Sequence, residues 1–253
     1  MEYKTRISKI ENGDVSIRGQ KLSELVKKGK FTDVVFLQLN GRMPNDKESV
    51  LFEKILVSII DHGMGTTSSM TARHVISGGN SLNVGVAGGV LSIGNFHGGA
   101  IESAMGMFYS WKNMSNDEVK DMVTKLLEER KPIYGFGHKH YKNGDPRVAL
   151  LKEEMKKVGF ESKFMHLQKI IEDTIFAVKG KKILMNVDGM IAILLCDFGF
   201  LPLLGKGIFI IGRTPGLVAQ SFEEMWCEKP VRRVSEDNIE YIESGQPWGD
   251  KNG

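Results

Sequence analysis

The stretch MIAILLCDFGFLPLLGKGIFIIG, residues 190–212, is the long apolar run of the chain, and it constrains the fold more than any other feature. Its length alone would suit a membrane span. Asp197 and Lys206 fall inside it, however, and Pro202 and several glycines interrupt it. A charged residue at the centre of a spanning helix costs about 2.5–3.5 kcal/mol, so the run reads instead as two buried helices meeting at a turn. Two such helices need a substantial apolar surround. A chain of 253 residues, 41% hydrophobic and 26% charged, can supply it as one domain or two small ones, and nothing in that composition suggests disorder.

Most of the surround is predicted to be helical. TRISKI and DVSIRG flank Asn12-Gly13, which predicts a short β-hairpin over residues 1–19. Val50, Leu51, Ile55, Ile59 and Ile60 recur with the helical period, predicting a helix capped by Asp46 and stopped by Gly63, with His62 in its last turn. In SLNVGVAGGVLSIG (81–94), Gly85, Gly88 and Gly89 lie within an apolar helical pattern, at a cost of about 1 kcal/mol each relative to alanine. Close helix–helix contact is the expected compensation. Ser115 and Glu118 form a capping-box pattern for a helix through Glu129, Pro146 after Asp145 suits a first helical position, and FMHLQKIIEDTIFAV (164–178) continues the pattern. The predicted fold class is mainly α with a small N-terminal β-hairpin.

The formal net charge of +3 provides no electrostatic case for nucleic acid. The local basic stretch YGFGHKHYKNGDPR (134–147) is better matched to a small anion. The N-terminus lacks the apolar segment of a secretory signal, and Cys196 and Cys227 have neither disulfide-framework nor zinc-site spacing, so a reducing cytoplasm is expected.

Four of the six histidines lie next to a glycine or nearly so: His62 in DHG, His97 in FHGGA, and His138 with His140 in GFGHKHY. Glycine beside a polar side chain marks backbone that approaches something closely, although any one of these taken alone is as well read as a turn. His74 and His166 fall within helical patterns and read as structural. No pair has the HExxH spacing of a metal site, and the loop glycines fit neither GxxxxGK[ST] nor GxGxxG, though Lys139, Lys142 and backbone N–H groups remain able to hold phosphate. Asp188, where NVDG enters the apolar run, reads equally as a helix N-cap and as a base whose pKa burial would raise. Arg147 and Arg213, each beside a glycine or proline turn, suit bidentate carboxylate binding or a plain surface role.

DHG (61–63), FHGGA (96–100), GFGHKHYKNGDPR (135–147), NVDG (186–189) and GRTPG (212–216) together resemble the citrate synthase superfamily, in the family's order and at comparable spacings. SKIENGDVSIRGQKLSELV resembles the family's small β element, its Arg-Gly turn and following helix, so the likeness covers nearly the whole chain. The resemblance implies that Asp188 removes a proton from the methyl of acetyl-CoA, that His97 hydrogen-bonds the thioester oxygen, and that His138 polarises the ketone of oxaloacetate. It assigns His62, Arg147 and Arg213 to the substrate's carbonyl and carboxylates, and Ile133, Gly135, Gly137 and Lys142 to coenzyme A, a substrate carrier, with no tightly bound cofactor. His140 is expected to be dispensable. An arginine reaching a partner subunit's site would be Arg233, with Arg232 and Lys229 as alternatives.

Within the superfamily, chain length and the stretches SIIDHG, ILMNVDGMIAILLCDFGF and GIFIIGRTPGLVAQ resemble citryl-CoA lyase and the C-terminal lyase module of ATP-citrate lyase. The implied reaction is cleavage of citryl-CoA to acetyl-CoA and oxaloacetate. His97 is a synthase-like feature, since ATP-citrate lyase modules lack histidine there, so citrate or 2-methylcitrate synthase is the alternative. A non-catalytic CoA-binding subunit is a third reading, disfavoured because all three proton-transfer groups are present. The implied architecture is a large domain (1–98 and 188–253) with a smaller one inserted (99–187), which sets His97 and Asp188 beside the crossings. A homodimer is expected, for which the glycine-rich helix also speaks. Neither nucleic acid nor membrane is an expected partner, and a separate citryl-CoA synthetase is a possible one.

Overall fold

The computed structural model describes residues 3–138, 141 and 144–241. Asn12 (φ 52°) and Gly13 (φ 77°) both take the left-handed conformation that a two-residue hairpin turn demands, joining β1 (Ser8–Glu11) to β2 (Asp14–Ile17). Arg18 and Gly19 repeat the device and add β3 (Gln20–Lys21), so the hairpin is the first half of a three-stranded antiparallel sheet. Arg18 is held in this conformation by donating to the carbonyls of Gln38 and Arg6.

The rest of the described chain is helical: α1 (Leu22–Lys28), α2 (Phe31–Asn40), α3 (Asp46–Ser58), α4 (Thr67–Ser77), α5 (Leu82–Leu91), α6 (Ala100–Trp111), α7 (Asn116–Glu128), α8 (Pro146–Lys157), α9 (Met165–Lys179), α10 (Val187–Asp197) and α11 (Leu204–Cys227), with a 3-10 turn at Glu236–Asn238. The apolar run forms two helices joined at Phe198–Leu203. All of α10 from Gly189 to Cys196 is buried, with α6 packed along it. Beneath the turn, Phe36, Phe52, Phe198 and Phe200 form an aromatic cluster, with Phe36 set edge-on to Phe200 at 4.9 Å. Full burial of such side chains is worth about 1.5–3 kcal/mol each, so this cluster anchors the N-terminal helices to α10. Among the described residues no helix is long and apolar enough to cross a membrane.

The glycines of α5 do admit close neighbours. A β-carbon at Gly88 would lie 2.8 Å from Val75, and one at Gly89 would lie 3.0 Å from Leu217. Those neighbours belong to α4 and α11 of the same chain, so glycine in α5 is explained without a second subunit. The box predicted at Ser115 is present in both halves, and Pro146 opens α8 with Asp145 as its cap.

Three local expectations are corrected. Asn45, rather than Asp46, caps α3: its side chain accepts from the Glu48 amide, and Glu48 accepts from the Asn45 amide. That helix ends at Ser58, so His62 stands in a loop beyond it, because the Ile59 carbonyl is taken by the Arg213 side chain. GRTPG is not a turn but the middle of α11, which runs through Pro215 while the Thr214 hydroxyl donates to the Ile210 carbonyl at 2.7 Å. Gly212 and Gly216 press this stretch directly against Ile59 and Ile60.

Candidate active site

Asp188 is the second residue of α10, and the capping role belongs to Asn186, whose Oδ1 accepts from the Gly189 amide at 3.1 Å. The Asp188 carboxyl is therefore available for other work. Burial pushes its pKa up to about 6, and nearby Asp145 adds to the rise against the pull of Arg147 and Arg213. It borders a pocket of about 150 Å³ that is also lined by His62, His97, His138, Arg147 and Arg213. The fold thus brings together six of the predicted residues from five separate segments. Among the described residues no group of three or more histidine, cysteine or acidic side chains is arranged to hold a metal ion.

On one wall, His97 lies in the loop before α6, its Nε2 2.8 Å from the buried Ser68 hydroxyl on α4. The Phe209 ring packs edge-on against it at 5.7 Å, and a β-carbon at Gly98 would collide with that ring. Burial, with Arg213 and His62 nearby, holds the His97 pKa below its ordinary value, so at neutral pH the ring is uncharged.

On the opposite wall, His138 Nδ1 accepts from the Tyr141 amide at 3.2 Å. A neutral ring accepting at Nδ1 carries its proton on Nε2. His62 stands 6.3 Å away, ring to ring, and burial, reinforced by Arg147, Arg213 and His138, lowers its pKa. Arg147 lies over the Tyr141 ring and is gripped by Asp145 through bonds of 3.0 Å from Nε and 2.8 Å from Nη2. The Asp145 carboxylate also accepts from the Val187 amide at 3.0 Å, tying α8 to the start of α10. Burial opposes ionisation of Asp145, but the Arg147 guanidinium and these amides outweigh it and hold its pKa below the usual range.

Arg213 forms the floor. It is 2% exposed, its Nε donates to the Ile59 carbonyl at 2.7 Å, and its guanidinium lies 5.0 Å above the Phe209 ring. Nη1 is buried without a hydrogen-bond partner among the described residues. A buried arginine lining a pocket with three imidazoles and a second arginine suits that pocket to an anion.

The predicted coenzyme A stretch is only partly described, since Lys139, His140 and Lys142 lie outside the described residues. Ile133 is a core residue. Gly135 (φ 85°) packs backbone to backbone against Gly189, where a side chain on either would clash, and Gly137 exchanges hydrogen bonds with Leu184 and Asn186. Glycine is thus required at 135 by packing alone. Of the three distal cations, Arg232 is engaged by Glu224, which in turn pairs with Arg73 in a buried network, whereas Arg233 and Lys229 are exposed.

Sequence reasoning missed Ser68, Asp145, Asn186 and Phe209 as parts of the site. Asp145 was visible only as the helix cap of an Asp-Pro-Arg sequence, and Ser68 had no signal, since its partner is 29 residues away.

Residues 38–234 match the family model described as citrate synthase, C-terminal domain. "Citrate synthase 2" of Bacillus subtilis is 33% identical over 77% of this chain and 52% of its own length. "ATP-citrate synthase subunit 1" of Sordaria macrospora is 29% identical over 81% of this chain and 32% of its own length. The chain therefore spans about half the length of one of these curated relatives and about a third of the other. The solved structure of citryl-CoA lyase from Hydrogenobacter thermophilus is 42% identical, covers 97% of this chain and 96% of that one, and superposes with a TM-score of 0.90. ATP citrate lyase from Methanothrix soehngenii, solved with citrate and coenzyme A, shares the fold at 22% identity and a TM-score of 0.81, over 97% of this chain and 42% of that one.

Proposed function

This chain belongs to the citrate synthase family, and we propose that it is a citryl-CoA lyase, cleaving citryl-CoA to acetyl-CoA and oxaloacetate. The observation that carries the choice within the family is the 42% identity to a citryl-CoA lyase over nearly the whole of both chains. The pocket chemistry supports it. Arg147 and Arg213 take substrate carboxylates, with His62 beside them. His138 accepts the proton of the tertiary hydroxyl as the carbon–carbon bond breaks, which releases the ketone of oxaloacetate. The electrons of that bond form the acetyl-CoA enolate, whose oxygen is held by His97, and Asp188 delivers a proton to its carbon. For His97 to donate from Nδ1, the Ser68 hydroxyl must donate to Nε2. A pKa near 6 lets Asp188 alternate between acid and base at cellular pH.

A specific observation favours the condensation reading as well. His138 accepts at Nδ1, so its resting neutral ring presents Nε2–H, the form that polarises a ketone. Cleavage needs the other tautomer and release of the Tyr141 amide. In both directions coenzyme A enters as a carried substrate along residues 132–142, the 99–187 unit closes over the rest, and Arg233 extends to the partner's site in a homodimer. The setting is cytoplasmic, and a citryl-CoA synthetase supplies the substrate.

The deciding experiment gives the protein citryl-CoA in one vessel and acetyl-CoA with oxaloacetate in another. Acetyl-CoA release in the first, with little free CoA in the second, is the expected result. Rapid CoA release in the second, without acetyl-CoA in the first, would replace lyase by synthase, and inactivity in both would favour a binding subunit.

A further inference from the structure

Asp188 and His138 are 50 residues apart, and their relative position depends on how the loop before His138 meets the start of α10. Two backbone hydrogen bonds align the two segments, and together they make the antiparallel bridge between Phe136 and Met185: Gly137 N–H donates to the Leu184 carbonyl at 2.8 Å, and Asn186 N–H donates to the Gly135 carbonyl at 2.9 Å. They set the register but leave the carbonyl between Gly137 and His138 unassigned. Gly137 (φ 84°) has no side chain to restrain that peptide. The Asn186 Nδ2 takes the Gly137 carbonyl at 2.7 Å, while Oδ1 of the same amide holds the Gly189 amide at 3.1 Å. One planar group therefore grips the peptide that leads into His138 and caps the helix turn that carries Asp188.

We propose that Asn186 is a positioning residue that couples the two proton-transfer groups, setting the placement of the His138 ring against the Asp188 carboxyl. The proposal rests on the functional reading above, in which these groups act on one substrate molecule. A misplacement of about 1 Å between reacting groups can cost about 10²-fold in rate, so a single amide at this junction has leverage on turnover without touching the reacting atoms.

Asn186→Ser separates the two halves of the role, since serine caps a helix about as well as asparagine but cannot reach the Gly137 carbonyl. We expect Asn186→Ser to keep the wild-type melting midpoint and KM while kcat falls about 10- to 100-fold. In a His138→Ala background the same change should have little further effect. Wild-type kcat, a loss carried by KM, or losses that multiply fully in the double variant would each overturn the proposal. Asn186→Ala, which also removes the cap, should lower the melting midpoint as well. Should the serine variant itself be destabilised, the ring-proton NMR signals of the free protein decide: the His138 signal should move or broaden with the His97 signal unchanged, and an unmoved His138 signal would refute the coupling. Those signals also stand apart from the functional reading, which fails on its own if the wild-type protein turns over neither substrate set.

Discussion

The start of α8 and the start of α10 each place an aspartate beside the same pocket, and the two carboxyls are driven in opposite directions. Asp145 caps its helix, grips Arg147 and receives the Val187 amide, so it is spent on structure and held ionised. Asp188 leaves capping to Asn186, and burial raises its pKa to about 6. Burial raises both, but at Asp145 the Arg147 guanidinium and two backbone amides outweigh it, whereas at Asp188 burial prevails over the pull of Arg147 and Arg213. Environments that push paired carboxyls apart in this way mark one as scaffold and the other as the acid or base.

The contrast can be broken most severely at Asp188. In the proposed reading, Asp188→Ala lowers kcat by about 10³-fold or more with melting undiminished, measured as acetyl-CoA release from citryl-CoA. Asp145→Ala should instead unfold the region. It strands the Arg147 charge and the Val187 amide, and removing one partner of a buried pair costs about 3–5 kcal/mol, readable by chemical denaturation.

The pH dependence sharpens the same contrast, because the two signs are opposite. The pKa of Asp188 is raised in the fold, so its contribution favours the fold at acid pH and is lost as pH rises from the ordinary aspartate value of 3.8 through about 6. Asp188→Asn should therefore stabilise the protein at neutral pH by about 3 kcal/mol and have little effect near pH 4. The Asp145 pKa is lowered, so its contribution is present above the ordinary carboxyl range and is lost as pH falls through the folded value. Asp145→Asn should accordingly lower stability at neutral pH and matter progressively less in acid. The smallest effect is expected at Arg233, which in the proposed homodimer reaches the partner's site: Arg233→Ala should raise KM a few-fold, as befits an exposed cation, with kcat unchanged, measured by steady-state kinetics.

Much of the fold could be read locally. The hairpin at Asn12-Gly13, the capping box at Ser115 and the first-position Pro146 are decided by neighbours in sequence, and each is present. The motifs also named six of the residues that line the pocket. What escaped was any role assigned by a distant partner. His62 left the end of a helix because Arg213 takes the Ile59 carbonyl 154 residues away, and GRTPG stayed helical because Gly212 and Gly216 let it press on Ile59 and Ile60. The α5 glycines called for a close neighbour, but only the packing identified α4 and α11 as neighbours.

The sequence by itself determined that the apolar run must be buried as two helices, since charge, proline and glycine forbid a span and hydrophobic burial dominates folding. It also determined which side chains could carry proton transfer and anion binding. The tertiary structure alone decided which of them do structural work. Asp145 and Asp188 are the same residue type at the same kind of helix start, and the burial and the donors that folding brings to each separate a clamp from a titrating acid.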